Sequence, residues 1–279
     1  MADGPIDLRT DVAHPARMYA YFLGGKDHYA ADRAAAEQAL QEFPAVRVAA
    51  RTNRDFMAHA TRFLVGQGVR QFLDIGTGIP TEQSPNLHQV AQAGAPEARV
   101  VYVDNDPIVL AHARALLVSS REGRTAYVQA DATDPAAILA APELLRTLDL
   151  TQPVAVSLFA LLHFVPGDVY EMVKALMEPL APGSYLAISH VTTDFDEGPQ
   201  DPDGMMRLVQ VYIDRSIAVH PRSRAEVARF FDGLELLEPG VEVIHRWRND
   251  GIEHPPSRDK QVSLWGAIGR KTHAAGTGR

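Results

Sequence analysis

The chain has 279 residues, with 27 Lys and Arg against 35 Asp and Glu, and no cysteine. A net charge of −8 provides no general basic field for a polyanion, so a nucleic-acid backbone is not expected as the main partner. The absence of cysteine excludes disulfides, thiolate metal sites, iron–sulfur clusters and thiol nucleophiles.

The N-terminal stretch MADGPIDLRTDVAHPARM lacks the basic-then-apolar order of a signal peptide. Every apolar run is shorter than the roughly 20 residues that a bilayer span requires. A soluble cytoplasmic protein without a membrane partner is therefore expected.

The first seventy residues carry helical patterns. Pro15 suits the first position of a helix that ends at Gly24-Gly25. Asp27 is placed to cap a second, Ala-rich helix from Tyr29 to Gln41. A third begins near Pro44, and its apolar positions Val46, Ala49, Phe56, Ala60 and Phe63 recur at helical spacing. Asn53 falls on the same stripe, so it must find either a buried partner or something bound.

From residue 71 the pattern changes to short runs rich in Val, Leu and Ile. Gln71–Ile75, Arg99–Val103, Ala126–Gln129, Pro153–Leu158 and Gly183–Ser189 read as five strands. Helical stretches lie between most of them, at Leu87–Ala93, Ile108–Leu117, Ala136–Leu148 and Val169–Leu180. Such alternation predicts a parallel sheet covered on both faces, with its ligand at the C-terminal strand edge. The segment Thr193–Gly204 then carries Asp194, Asp196, Glu197, Asp201 and Asp203 without a basic residue. Helices are expected at Met205–Ala218 and from near Ser223 through Phe231, followed by an antiparallel pair, Val241–Trp247 with Gln261–Ile268.

The turn Asp74-Ile75-Gly76-Thr77-Gly78-Ile79-Pro80 directly follows the first strand. Two glycines there let the backbone turn sharply and approach a ligand closely. Asp104 ends the next strand and Asp131 the one after, so three successive strands deliver a carboxylate to one edge. A dinucleotide fingerprint would place a third glycine where Thr81 stands, and Pro80 removes an N–H from the turn that would cradle a pyrophosphate. A nicotinamide-dependent oxidoreductase is thus disfavoured. Acidic groups with a donor missing suit a nucleoside without phosphates, such as S-adenosylmethionine; carboxylates accept from ribose hydroxyls and from an adenine amino group.

The order D-I-G-T-G-I-P, V-D-N-D-P and Q-A-D-A-T-D-P resembles the class I S-adenosylmethionine-dependent methyltransferases. With R-M-Y-A-Y-F-L-G-G-K-D-H-Y-A-A-D, A-R-T-N-R-D-F, L-H-F-V and R-F-F-D-G-L-E-L, it is similar to an actinobacterial methyltransferase family once filed as a domain of unknown function. The resemblance implies a Rossmann-like seven-stranded α/β sheet, mostly parallel with a terminal antiparallel strand. The residue patterns divide the chain into an N-terminal helical cap region over residues 1–70, a core over 71–271 with a helical insert at about 193–233, and a loose tail at 272–279. S-adenosyl-L-methionine is the implied cofactor; the resemblance does not carry over a substrate, and the leading expectation is direct in-line methyl transfer to a small-molecule acceptor. A cofactor-binding sensor without catalysis is the alternative.

On that pattern, Asp74, Gly76, Thr77 and Gly78 lie beside the methionine portion, Asp104 takes the ribose with Asn105 as neighbour, and Asp131 and Ala132 border the adenine. Phe159 flanks the cofactor, and Arg51 and Asn53 help to hold it or the loop above it. Asp106, followed by Pro107, reads first as a helix cap. If the acceptor must lose a proton, His163, His190 or Tyr29 is the candidate base, with Tyr29 on a loop folded over the cofactor. Each also has a structural reading, as a satisfied histidine or an interhelical turn. Tyr212 and Phe230-Phe231 sit at core spacing. The acidic segment 193–204 is either a solvated loop or a substrate cover favouring a neutral or cationic acceptor. Eleven scattered histidines show no metal-ligand spacing, so no metal is expected.

Overall fold

The computed structural model describes residues 9–81, 84–116, 118–198, 201, 204–249, 255 and 257–272. Three helices come first: α1 (Pro15–Phe22), α2 (Ala30–Glu42) and α3 (Val46–Gly66). His14 Nδ1 accepts from Ala16 N–H ahead of α1, and Pro15 fills its first turn. The cap of α2 differs from expectation. Tyr29 is the N-cap, and Asp32 in the first turn accepts from the Tyr29 N–H at 2.8 Å, leaving Asp27 outside.

The α/β core follows as β1 (Gln71–Ile75), α4 (Leu87–Gly94), β2 (Arg99–Asp104), α5 (Pro107–Leu116), β3 (Arg124–Gln129), α6 (Pro135–Ala140), α7 (Pro142–Leu145), β4 (Ala155–Phe159), α8 (Val169–Met177) and β5 (Tyr185–Val191). The single helix expected over Ala136–Leu148 is two short ones. Pro142 supplies no N–H and forces the preceding residue out of the helical region, and Ala141 is extended at ψ 128°. Then come α9 (Met205–Asp214), α10 (Arg224–Ala228) with a 3-10 turn at Arg229–Phe231, β6 (Glu235–Leu236), β7 (Glu242–Val243), α11 (Ser257–Val262) and β8 (Leu264–Arg270). Helix α9 stops short of Ala218 because Ser216 adopts φ 59°, a left-handed conformation that ends the turn.

The sheet runs β3-β2-β1-β4-β5-β8, parallel through β5 and antiparallel between β5 and β8. The last place is shared. β6 pairs with one end of β8 (Glu235 with Arg270) and β7 with the other (Glu242 with Gly266), so eight strands fill seven positions. The expected seven-stranded architecture stands, with its edge strand broken in two. The strand order reverses between β1 and β4, which places the Gly76–Gly78 turn at the point where open parallel sheets form a crevice.

Two apolar clusters result. The larger one packs α3, α4 and α8 against the sheet. The smaller one gathers Met18 and Phe22 of α1, Ala35 and Ala39 of α2, and Leu208 and Tyr212 of α9. Met205, Leu208, Val209 and Tyr212 are buried at spacings of three and four while Met206, Arg207 and Gln210 face solvent, so α9 buries one stripe against the N-terminal helices. Arg207 pairs with Glu42, and Arg215 donates to Gln38 at 2.8 Å, closing the outer seam.

The acidic segment before α9 has structural work for its carboxylates. Asp196 accepts from the N–H groups of Met205 (2.8 Å) and Met206 (2.9 Å), capping α9 from a distance. Asp194 accepts from Arg224 N–H and Trp265 Nε1, and Asp201 pairs with Lys260 at 2.8 Å. Asp203 lies outside the described residues, as does the expected tail beyond Thr272. Asp196→Ala is expected to cost about 1 kcal/mol of stability by exposing two orphan donors. Glu197→Ala, at a side chain 83% exposed, is expected to change it little; urea unfolding of both variants checks the difference.

Candidate functional site

At the C-terminal end of β1 the chain turns through Gly76 (φ 75°) and Gly78 (φ 65°), both in the left-handed region that favours glycine. The Gly76 and Thr77 N–H groups donate to the Val103 carbonyl at 2.8 and 3.3 Å, binding the turn to β2. A Cβ at Gly76 would come within 2.6 Å of Leu161 Cδ1, whereas one at Gly78 would meet nothing within 4 Å. A side chain at the first glycine would have to displace the end of Leu161 and hold a left-handed backbone, whereas the second borders open space.

Asp104, at the end of β2, is only 6% exposed. Its Oδ2 accepts from Gly78 N–H at 3.0 Å and its Oδ1 from Asp106 N–H at 2.9 Å. Burial raises its pKa to about 6 despite those bonds. Asp74 is raised to about 6 as well, again chiefly by burial, although Ser157 Oγ donates to it at 2.6 Å and Arg54 lies nearby. Asp131 is different. Thr133 donates to its Oδ1 through Oγ1 (2.7 Å) and N–H (2.8 Å), which lowers its pKa, and Asn105 Nδ2 donates to Oδ2 at 3.3 Å. The turn role and a wall position therefore coexist at Asp131.

Asp74, the Gly76–Gly78 turn, Asp104, Asn105 and Asp131, with Ala132, Phe159 and Asn53, line one cavity of about 380 Å³. Asn53 is a buried link. Ser189 Oγ donates to Asn53 Oδ1 at 2.5 Å, and Asn53 Nδ2 donates to Tyr19 Oη at 3.0 Å. Tyr19 in turn donates to the Ala50 carbonyl at 2.9 Å, so this chain ties β5 through α3 to α1.

A second tie is ionic. Arg17 on α1 is 3% exposed, and its Nε lies 3.5 Å from Asp32 Oδ1 and 3.5 Å from Asp106 Oδ2. Asp32 also accepts from His14 N–H and Tyr29 N–H, both at 2.8 Å. Asp106 caps α5 by accepting from Ile108 N–H at 2.9 Å, the structural role expected of it. The N-terminal helices are thereby fixed to the loop that follows Asp104.

Three expected site residues stand elsewhere. Tyr29 is 37% exposed with the Arg17 guanidinium over its ring, and it is not part of the cavity wall. Gly24-Gly25 closes α1 by a bond from Gly25 N–H to the Ala20 carbonyl and is not on the wall, whereas the face of α1 from His14 to Phe22 meets the cavity. Arg51 faces solvent; Arg54, one turn on, lines the wall and donates to Ser84 Oγ, the Pro85 carbonyl and Asn86 Oδ1. His190 is fully buried behind the wall. Its Nδ1–H donates to the Val191 carbonyl and its Nε2 accepts from Arg222, both at 2.8 Å, and burial lowers its pKa to about 3. With both nitrogens engaged it has no lone pair for a substrate proton.

His163 does line the cavity. Val191 N–H points at its Nδ1 at 3.5 Å, which fits the tautomer with the proton on Nε2. Burial, His190 and Arg222 hold its pKa well below the ordinary value, so it is a neutral donor rather than a ready base. Tyr212, read from sequence as core, is another wall residue. Its helical spacing marked a buried face but not that the face lines a cavity.

The wall fits a nucleoside with a cationic tail better than a dinucleotide. Helix α4 begins at Leu87, nine residues after Gly78 (87 − 78), so no helix N-terminus opens directly at the glycine turn to receive a pyrophosphate. Open space beside Gly78, the buried carboxylates of Asp74 and Asp104, and Asp131 at the next strand end form the acceptor-rich set that ribose hydroxyls, amino groups and a sulfonium require. Among the described residues no trio of His, Asp or Glu is placed to hold a metal ion, and no helix is long and apolar enough to cross a membrane.

Several known proteins are similar to this chain in sequence and fold. The crystal structure of a DUF574 family protein from Streptomyces avermitilis superposes with a TM-score of 0.87 at 49% identity, covering 95% of this chain and 100% of that one. One from Thermobifida fusca, described by inference as a methyltransferase, gives a TM-score of 0.84 at 37% identity, covering 98% and 100%. Curated proteins from Mycobacterium bovis and Mycobacterium tuberculosis, named by inference as S-adenosyl-L-methionine-dependent methyltransferases, are 29% identical over 193 residues. That match takes in 63% of this chain and 57% of theirs. The sequence profile described as S-adenosyl methyltransferase matches residues 2–272. This chain belongs to the S-adenosyl methyltransferase family, and its cofactor is S-adenosyl-L-methionine.

Proposed function

We propose that the chain transfers a methyl group from S-adenosyl-L-methionine to a small molecule held in the same cavity. The observation that carries this reading is the cavity's two-part wall: carboxylates and a glycine turn on the sheet edge, and an apolar chamber under α1, α3 and α9. Asp104 is assigned to the ribose hydroxyls, Asp131 and Ala132 to the adenine, and Asp74, Gly76–Gly78 and Arg54 to the amino-acid portion. When bound, the cofactor supplies a methyl carbon on a sulfonium, an electrophile that needs no further activation.

The chain's own contribution is then alignment and exclusion of water, effects worth up to roughly 7–11 kcal/mol of a barrier when geometry is well held. The Arg17 cluster and the Asn53 chain hold the helices that close the chamber. None of the three groups expected as a base is available as one. His190 is consumed by Val191 and Arg222, Tyr29 is away from the wall, and neutral His163 presents Nε2–H. The sensor alternative shares the cofactor end and differs in the fate of the methyl group. Incubation with cofactor carrying a labelled methyl group and a small-molecule extract should yield labelled small product. Label that stays on the cofactor would favour the sensor.

Calorimetric titration with the cofactor should show binding that Asp104→Ala weakens about tenfold or more, the loss of charge-assisted hydrogen bonds. Equal affinity in the two proteins would refute the assignment. The buried carboxylates add a pH signature. A ligand that donates to them favours their ionised form, so affinity should fall as pH drops through about 6, where Asp74 and Asp104 take up protons. Binding near pH 6 should release protons, seen as a dependence of the binding heat on buffer ionisation enthalpy. For the ligand-free fold the sign is opposite: the contribution of these two groups to stability is present near and below pH 3.8 and is lost as pH rises through about 6.

A further inference from the structure

The chamber has a polarity that the cofactor end does not explain. Of the charged side chains on the cavity wall, Asp74, Asp104 and Asp131 belong to the sheet edge and its loops, and Arg54 of α3 spends its guanidinium on Ser84, Pro85 and Asn86 beside the glycine turn. The wall contributed by the second cluster is built from Phe22, Val46, Met205, Leu208 and Val219, all apolar. The four carboxylates of the acidic segment that the structure describes are not on the wall. Asp194, Asp196 and Asp201 are spent on Trp265, α9 and Lys260, and Glu197 is exposed. The acidic cover considered from sequence is therefore not what a ligand meets.

The Tyr19 hydroxyl on this wall is spent on Ala50 and Asn53, and two further polar side chains interrupt the apolar surface. His163 is 2% exposed and Tyr212 is 6% exposed, and both line the cavity on either side of Phe164. The Tyr212 hydroxyl has no hydrogen-bond partner among the described residues, and burial alone raises its pKa, so it stays protonated. His163, with Nδ1 facing the Val191 N–H, fits the tautomer with its proton on Nε2, and burial, helped by His190 and Arg222, keeps it uncharged. Both groups are donors without a charge.

We propose that the methyl acceptor is a neutral, largely apolar small molecule that offers hydrogen-bond acceptors to the Nε2–H of His163 and the hydroxyl of Tyr212. The inference rests on the methyl-transfer reading of the cavity and narrows it to a substrate class. An anionic or cationic acceptor would leave water for a wall with no counter-charge, and that desolvation goes uncompensated. A purely apolar ligand would leave two buried donors unmatched, which binding sites penalise strongly. A neutral molecule with a carbonyl, ether or ring-nitrogen acceptor satisfies both conditions.

The test uses three probes of nearly equal size, acetylnaphthalene, naphthoate and naphthylmethylammonium, titrated into the full chain with and without saturating S-adenosylhomocysteine. Acetylnaphthalene should bind about tenfold or more tightly than either ion. Tyr212→Phe and His163→Phe should each weaken it about fivefold while S-adenosylhomocysteine binding is unchanged. Leu208→Glu, which sets a carboxylate in the wall, should shift the preference to the ammonium probe, and this gain cannot arise from misfolding. Equal or tighter binding of a charged probe to the wild-type protein, or indifference of acetylnaphthalene to both Phe variants, would overturn the inference. Absent S-adenosylhomocysteine binding would instead overturn the methyl-transfer reading, and the probe series without it still decides the preference of the chamber.

Discussion

A guanidinium buried between two carboxylates is the constraint on which this architecture depends. Arg17 reaches Asp32 within the helical cap and Asp106 in the loop after β2, with both contacts shielded from water. Desolvating such charges is repaid only when all partners are in place, and removing one from a buried group typically costs about 3–5 kcal/mol. Asp106 lies two residues from Asp104 and donates its own N–H to that carboxylate. A single side chain on α1 thus fixes both the docking of the cap and the position of the group assigned to the ribose.

The cavity lies where two separately packed clusters meet, and that division explains its mixed wall. The sheet must satisfy its strand ends, so polar groups collect at the C-terminal edge, where backbone turns leave acceptors and donors without ladder partners. The α1–α2–α9 cluster has no such ends to satisfy there and presents methyl groups and rings. Two buried directional devices cross between them: the ionic cluster at Arg17 and the chain from Ser189 through Asn53 to Tyr19. Both originate in β-strand ends and terminate on α1, so the geometry of the chamber is set by the geometry of the sheet.

How much could be read from the residue order depends on how locally each feature is encoded. The parallel strands were visible because burial on both faces produces continuous apolar runs, and Asp74, Asp104 and Asp131 because strand ends are marked by the turns after them. Helix α10 was visible through the Ser223–Glu226 capping box. Arg54 and Tyr212 reach the cavity through contacts between elements remote in the chain, and nothing in their local spacing separates a wall from a core. Arg51 and Arg54 share one helix, and only the packing of α3 decides which of them turns inward. His190 had the right position at a strand end, but its role is settled by Arg222, thirty-two residues later (222 − 190), a partner that no periodicity announces. The broken edge strand escaped detection because β6 is two residues long and is defined wholly by its bond to β8.

That broken edge has a consequence for how the molecule meets copies of itself. A sheet ending on a long, regular strand offers a row of free N–H and C=O groups onto which another chain can add, the route to fibrils and strand exchange. Here the outermost position holds two pairs of residues separated by Leu237–Val241, with Pro239 contributing no donor. Neither piece is long enough to template an added strand, and Glu235 carries a charge at the rim, paired to Arg270. The interruption acts as a guard against self-association along this border of the sheet.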